Sequence, residues 1–550
     1  IQDLSKYGNQ PMIGNNGDLL IVFNGEIYNF LELRRNLEAD GVVFRSKSDT
    51  EVILNLYEIY GPSMLTKLNG MFSIVIFNRR NQEFFLARDR VGIKPLYFYK
   101  DNKNFFIASE IKAFLHHSEF KKNINIQNLD EFLFFRYCSG NKTLFKDVYQ
   151  CLPGHYMIYK DNELTSQKYW DNSKDLDIKN PISEIQDILS SSVDYQLISD
   201  VEVGTQLSGG IDSSLITSIS ASRNKELLKT FSIIFPGSSL NEENYINLIN
   251  SSLELNNFKS SFRSNFLIDD LEKTTWHFDQ PLSQPNSIGI YHLSKLASQY
   301  LKVILSGEGA DELFGGYDRF IPARIFTKYP YFSRLINSMR NYNFKRDGVS
   351  IEEIIISLSS VSKINQIKEI YPQFNFEKAT EDRINQFNNI NEKNLYTKFF
   401  KYEQSTYLTE LLIRQDKMCM ANGVENRVPF LDHRVIEFSN NLPLHFKTDL
   451  NLPFFINRNK ITKKILKIIS QKLFGNEFTY RKKQGFSVPL GESLKSKKSA
   501  DYLLSLIDNV NELGLFSKKI YNLDTQNISS INRTWTIISL GAWINSFKLG

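Results

Sequence analysis

One nine-residue stretch, Gln206-Leu207-Ser208-Gly209-Gly210-Ile211-Asp212-Ser213-Ser214, restricts the fold more than any other part of the chain. The β-branched run from Val201 to Leu207 reads as a strand, two glycines let the backbone turn, and a helix from about Ser213 to Ala221 follows. Backbone N–H groups at such a turn face inward, so the loop can hold an anion at a helix N-terminus without a basic side chain. It lacks the GK[ST] ending of a Walker loop. Taken alone, it is equally a Gly-Gly turn capped by Asp and Ser. Further strand patterns at Thr230–Phe235 and Val303–Ser306, with an amphipathic helix at Ile182–Leu197, give the helix–strand alternation of a parallel sheet. A binding site is then expected at the C-terminal ends of its strands.

The segment before residue 170 has a different texture. Runs at Asp18–Phe23, Met71–Phe77, Glu83–Ala87 and Phe105–Ala108 are strand-like, and Leu31–Ala39 and Thr50–Tyr60 are helical in spacing. This mixture predicts stacked sheets and helices rather than a doubly wound fold. Polar residues 171–180 read as a linker, and beyond Tyr317 the chain is expected to be mostly helical.

Charge excludes little but helps. Against 61 acids, 66 basic residues leave +5 over 550 residues, and they are dispersed, which argues against a nucleic-acid partner. The basic stretch Lys460–Lys472 is expected to be a helix with a solvated face, since it lacks stacking aromatics. No apolar run reaches membrane-spanning length. Three cysteines, Cys138, Cys151 and Cys419, form neither a disulfide framework nor a CxxC pair, and point to a reducing cytoplasm.

A second loop follows the strand at Val303–Ser306: Gly307-Glu308-Gly309-Ala310-Asp311-Glu312-Leu313-Phe314-Gly315-Gly316-Tyr317. Two strand ends delivering small residues and a carboxylate each can clamp one nucleotide. Together these loops resemble the SGGxDSS and SGxGxDExFxGY patterns of the glutamine-hydrolysing asparagine synthetases. Asn24-Gly25-Glu26-Ile27-Tyr28-Asn29, Ser48-Asp49-Thr50-Glu51, the run from Arg88 to Tyr97, that from Asp416 to Asp432, and Tyr480-Arg481-Lys482-Lys483-Gln484-Gly485-Phe486 resemble further segments of that family, in its order.

The resemblance implies an α/β fold: an αββα N-terminal-nucleophile glutaminase domain at 1–170, then a PP-loop ATP-pyrophosphatase synthetase domain at 181–550. It implies that Asn24 and Gly25 form an oxyanion hole, while Glu26 and Asp49 hold the ammonium of glutamine, and both suit the chemistry. Unaided, Asn24-Gly25 reads as a hairpin turn. It further implies that Leu207 and Ile233 flank adenine, although both also read as strand core. Ser208, Gly209, Gly210, Asp212, Ser213, Ser214, Ser306 and Gly307 are expected to line the nucleotide, and Asp212 and Asp311 to hold Mg²⁺. Glu308 would serve adenylation or guide ammonia, and Lys483 would meet the phosphates. Glu425-Asn426-Arg427, Asp432 and Arg88-Asp89-Arg90 read as structural charge networks. The implied reaction adenylates aspartate with Mg-ATP and then admits ammonia through an apolar channel. Alternatives are another carboxylate, such as a surface-polysaccharide precursor, closure of a β-lactam, or a silent regulatory module. The expected partners are small molecules (aspartate or another carboxylate, glutamine or ammonia, ATP), neither nucleic acid nor membrane, and a homodimer is compatible with them.

Two departures from the family pattern stand out. The family's nucleophilic cysteine and its RHRGP segment precede the point where this chain begins, so the chain as given is expected to use ammonia and the complete protein glutamine. Gln280 and Gln284 in Asp279-Gln280-Pro281-Leu282-Ser283-Gln284-Pro285-Asn286-Ser287 replace two acids near the expected acceptor pocket. Asp279 and Glu308 remain there as candidate partners for an acceptor's amino group.

Overall fold

A computed structural model describes residues 3–172, 174–226, 228–263, 265–328, 350–449, 462–482, 497–522 and 528–549. The first half is built on an antiparallel six-stranded sheet ordered β1-β2-β3-β4-β8-β9. Its strands are β1 (Met12–Ile13), β2 (Leu19–Ile27), β3 (Gly70–Asn78), β4 (Glu83–Arg88), β8 (His155–Lys160) and β9 (Glu163–Lys168). Alternation in β2 puts Ile21 and Phe23 against Leu33 and Leu37 of the helix Phe30–Ala39 and Val52 and Leu56 of the helix Asp49–Tyr60. The opposite face, through Leu86 and Met157, meets a three-stranded sheet of β5 (Tyr97–Lys100), β6 (Phe105–Ala108) and β7 (Val148–Gln150), ordered β6-β5-β7. Behind it, Tyr97 and Tyr99 pack on the helix Leu129–Phe135 and on aromatic residues of the second half. Helix, sheet, sheet, helix is the expected layering, with the second sheet half the size of the first.

The second half centres on a five-stranded parallel sheet ordered β12-β11-β10-β13-β14. These strands are β10 (Val203–Gln206), β11 (Lys229–Ile234), β12 (Asn256–Ser261), β13 (Val303–Leu305) and β14 (Glu425–Arg427). Strand order reverses between β10 and β13, which makes their C-terminal ends the topological switch point where α/β sheets bind ligands. The helices Ile211–Ala221 and Ala310–Phe314 start there. β14 falls inside a segment that reads from sequence only as a charged motif; it pairs Val303 with Glu425 and Leu305 with Arg427.

The halves share one continuous interior. Tyr28, Met71, Val91 and Ile93 of the first pack with Ile185, Leu313, Leu408 and Phe430 of the second. Across this interface Lys94 pairs with Asp416 at 2.6 Å, both fully buried. Asp89 accepts the N–H groups of Val91, Gly92, Ile93 and Lys94, and Arg88 donates to the carbonyls of Gly92, Lys94 and Cys151, so this charged run is a backbone scaffold. No helix among the described residues is long and apolar enough to cross a membrane.

Candidate functional site

Two strand ends meet at the switch point. After β10 the serines organise the glycine loop: Ser208 Oγ lies 3.0 Å from Ser213 Oγ, and Gly210 N–H donates to Ser208 Oγ at 3.3 Å. After β13, Ser306 N–H donates to the carbonyl of Arg427 at 2.9 Å, which holds the second loop's root against β14. The structure brings Asp212 and Asp311 together on a residue that sequence reasoning missed. Lys463 Nζ lies 2.5 Å from Asp212 Oδ2 and 2.6 Å from Asp311 Oδ1. Burial would lower this lysine's pKa, but the two aspartates outweigh it and hold the ammonium above the ordinary lysine value. The Lys460–Lys472 stretch is therefore not simply a solvated basic face, because Lys463 and Lys467 are buried.

Close approach here needs Gly316. A Cβ at that position would stand 1.6 Å from Asp311 Oδ1 and 2.2 Å from Lys463 Cε. Three polar atoms of these loops, Asp212 Oδ1, Ser214 Oγ and Ser306 Oγ, are buried without a hydrogen-bond partner among the described residues. Such atoms are costly unless a ligand completes them. Leu207 and Ile233 follow the strand-core reading: their side chains pack with Ile246 and Phe478 and with Phe235 and Phe262, respectively. Lys483 lies outside the described residues. Nearby, Arg481 donates to the carbonyl of Gly209 and pairs with Glu242 at 3.0 Å, tying its segment to the glycine loop.

Glu308 lies beside the buried Arg414 of the helix Tyr407–Met420, at 3.8 Å. Burial pushes the Glu308 carboxyl up, Arg414 opposes this, and Asp311 and Asp212 add to it. Asp279, expected as a partner for an acceptor's amino group, is engaged elsewhere. It is buried between Lys417 at 2.5 Å and Lys112 at 3.0 Å and accepts the N–H groups of Ile111 and Lys112. Burial alone would raise its pKa, but the two lysines hold it below the usual carboxylate range. Gln280 likewise turns to the first half and accepts from Leu144 N–H at 3.1 Å. Asp279 and Gln280 thus clasp the two halves, while Asn286 of this segment accepts from Arg414 at 3.0 Å.

In the first half, Asn24-Gly25 is not a turn. It sits inside β2, with Gly25 opposite Phe72 at φ 153°, where a Cβ would stand 2.0 Å from the carbonyl of Met71. Glu26 and Asp49 are both 4 % exposed, and Asp49 accepts from Ile27 N–H at 2.9 Å. Burial and then the neighbouring Glu26 push the Asp49 carboxyl up to about 7. Glu26 is raised by burial and by Glu425, with Arg427 at 3.6 Å opposing. Arg427 also binds Glu425 at 2.7 Å and the carbonyls of Gln196 and Ile198. Cys151 and Cys419 are buried and Cys138 is half-buried, and desolvation raises all three thiols, Cys151 with its pKa pushed up to about 12.

Comparison with known proteins joins the two sites. The family model "Asparagine synthase" matches residues 184–544, and "Glutamine amidotransferase domain" matches residues 1–170. Asparagine synthetase [glutamine-hydrolyzing] 1 of Bacillus subtilis is 30% identical over 563 residues, covering 98% of this chain and 87% of that protein. Asparagine synthetase [glutamine-hydrolyzing] 3 of the same organism is 30% identical over 501 residues, covering 87% and 77%. Amidase chry2 of Gibberella zeae is 29% identical over 507 residues, covering 82% and 74%. A family model over most of the second half, and a relative matched along nearly the whole chain, agree with the paired loops at the switch point: the chain belongs to the asparagine synthase family.

Proposed function

We propose that the chain converts aspartate to asparagine through a β-aspartyl-adenylate, with nitrogen from glutamine or ammonia. The observation that supports this best is the convergence of Asp212 and Asp311, from two separate strand ends, on one ammonium beside orphaned loop hydroxyls. A carboxylate oxygen of the acceptor attacks the α-phosphorus of ATP, and the bond to the bridging oxygen breaks as pyrophosphate leaves. Ammonia then attacks the acyl carbon, AMP leaves, and Glu308 takes the released proton. The glycine loop and the start of the helix Ile211–Ala221 hold the phosphates.

Magnesium fits this cleft, because Mg²⁺ prefers one or two carboxylates plus substrate phosphates and water. Asp212 and Asp311 would hold it, where it would offset triphosphate charge. Lys463 keeps these carboxylates neutralised and adds a cation beside the phosphates, a role for which the family pattern also selects Lys483.

Glu26 and Asp49 form a buried anionic pair suited to the ammonium of glutamine, and Gly25 and Asn24, one and two residues before Glu26 on β2, donate to the oxyanion. A small cavity between the halves, lined by Phe132, Leu144, Phe278 and Ile413 with Arg136 and Glu410, supports ammonia passage, although its lining is less apolar than expected. The test is product analysis with Mg-ATP, aspartate and ammonium. AMP, pyrophosphate and asparagine should appear in equal amounts; ADP with orthophosphate would overturn the reading.

A further inference from the structure

The glycine loop contains one peptide whose direction its own residues do not fix sterically. The bond between Gly209 and Gly210 has a glycine on each side, Gly209 at φ 77° and Gly210 at φ −75°, ψ 159°. In a trans peptide the carbonyl and the N–H point in opposite directions. As it stands, Gly210 N–H faces into the loop and donates to Ser208 Oγ at 3.3 Å, beside Ser213 in the first turn of the helix Ile211–Ala221. Turning this one peptide over would carry the Gly210 φ through about 180° into the positive range, and would aim the Gly209 carbonyl at the phosphates. Glycine tolerates both arrangements, so the choice comes from outside the loop.

Arg481 supplies that choice. It follows the helix Lys464–Thr479, and its side chain is 9 % exposed. Nη2 donates to the Gly209 carbonyl and to Glu242 at 3.0 Å, and Nη1 donates to the carbonyl of Phe478 at 2.9 Å. The guanidinium lies 4.2 Å from the ring centre of Tyr245 and 4.6 Å from that of Phe478, which hold it from two different helices. Phe478 in turn packs with Leu207, Ile246 and Ile249 beneath the loop, so the clamp is anchored in the core. We propose that Arg481 is a positioning residue that latches the Gly209–Gly210 peptide with its N–H toward the pyrophosphate portion of ATP. Without the latch the carbonyl turns inward and opposes the charge that the loop receives. This rests on the nucleotide reading given above, and it assigns the loop's direction to a residue 272 positions away in sequence.

Two ligands separate the latch from the rest of the cleft: Mg-pyrophosphate, followed by calorimetry, and radiolabelled adenosine, followed by equilibrium dialysis. Arg481→Gln should weaken pyrophosphate about 30-fold and leave adenosine within about twofold. Arg481→Lys, which keeps a cation between the rings, should lose only about fivefold. Gly210→Ala decides the mechanism, because alanine accepts the observed φ of −75° but resists the positive φ of the turned-over peptide. On that background Arg481→Gln should cost less than about threefold in pyrophosphate binding. The full loss on both backgrounds would mean that Arg481 acts by another route, such as the lysine segment after it, and overturns the proposal. Unchanged pyrophosphate binding in Arg481→Gln, or an equal loss of adenosine, overturns it as well. So does loss of pyrophosphate binding in Gly210→Ala alone, since a Cβ there meets only Ser208 Oγ at 3.2 Å. If Arg481→Gln does not fold, Arg481→Lys carries the same comparison, and its smaller loss must vanish on the Gly210→Ala background. An unmodified chain that binds no pyrophosphate refutes the nucleotide reading itself, and the latch with it.

Discussion

Each half of the molecule buries a pair of carboxylates, and the pairs are neutralised in different ways. Glu26 and Asp49 are almost sealed from solvent, and Arg427, 3.6 Å from Glu26, is also bound to Glu425. Asp49 accordingly titrates near neutrality. Asp212 and Asp311 are more open, with side chains 18 % and 21 % exposed, yet Lys463 bridges both within 2.6 Å. In the function proposed above, the first pair receives a cation that arrives as part of the ligand. The second is bridged by Lys463, a countercharge that suits the polyanion it would receive in that function. Equal carboxylate counts therefore say little about a site; the origin of the cation says what it binds.

The comparison breaks most visibly if the second pair is altered. Asp212→Asn or Asp311→Asn should lower aspartate-stimulated pyrophosphate exchange by about 10³-fold, since charge at the reacting phosphates is worth several kcal/mol. Glutamine binding in the first half, followed by calorimetry, should stay within about twofold. Equal damage to both would show that the sites are not separate. Lys463→Met should cost about 10²-fold in exchange and expose the aspartates to divalent cations. Mn²⁺ binding without nucleotide, followed by electron paramagnetic resonance, should appear in the variant and be weak in the parent. The opposite order would mean that Lys463 does not stand in for a cation.

The first pair gives smaller effects. Asp49→Asn should weaken glutamine binding by about 10–100-fold while exchange with aspartate is retained. Its pH dependence sharpens the contrast. With its pKa raised to about 7, Asp49 keeps its proton longer in the folded chain than in the unfolded one. Stability is therefore lost as pH rises from the unfolded value through 7. Without ligand, Asp49→Asn should melt about 2–4 °C above the parent at pH 8 and level with it at pH 4. A constant offset between the two curves would refute the assigned shift.

Both nucleotide loops were legible in the sequence because strand, small residues, carboxylate and helix start occupy consecutive positions there. The layered first half was legible from the alternation in β2, β3 and β4. Lys463 was not, since a lysine in a basic run carries no local mark of burial and its partners lie 251 and 152 residues away. Asn24-Gly25 misled for the opposite reason: its local turn propensity is strong, but pairing with β3 on the full length of β2 overrides it. Asp279 kept its charge but took a structural post, because Lys112 and Lys417 come from opposite halves.

The three-residue strand β14 bears on how this chain can be recombined. Its residues pair with β13, its carbonyl at Arg427 fixes Ser306, and its Arg427 side chain reaches Glu26 in the other half. A chimera cut at the polar linker would take the first half from one parent and the short strand that reaches its Glu26 from another. The seam that respects the chemistry is discontinuous: a transplanted first half should carry residues 425–427 with it, although more than 250 residues of sequence lie between them.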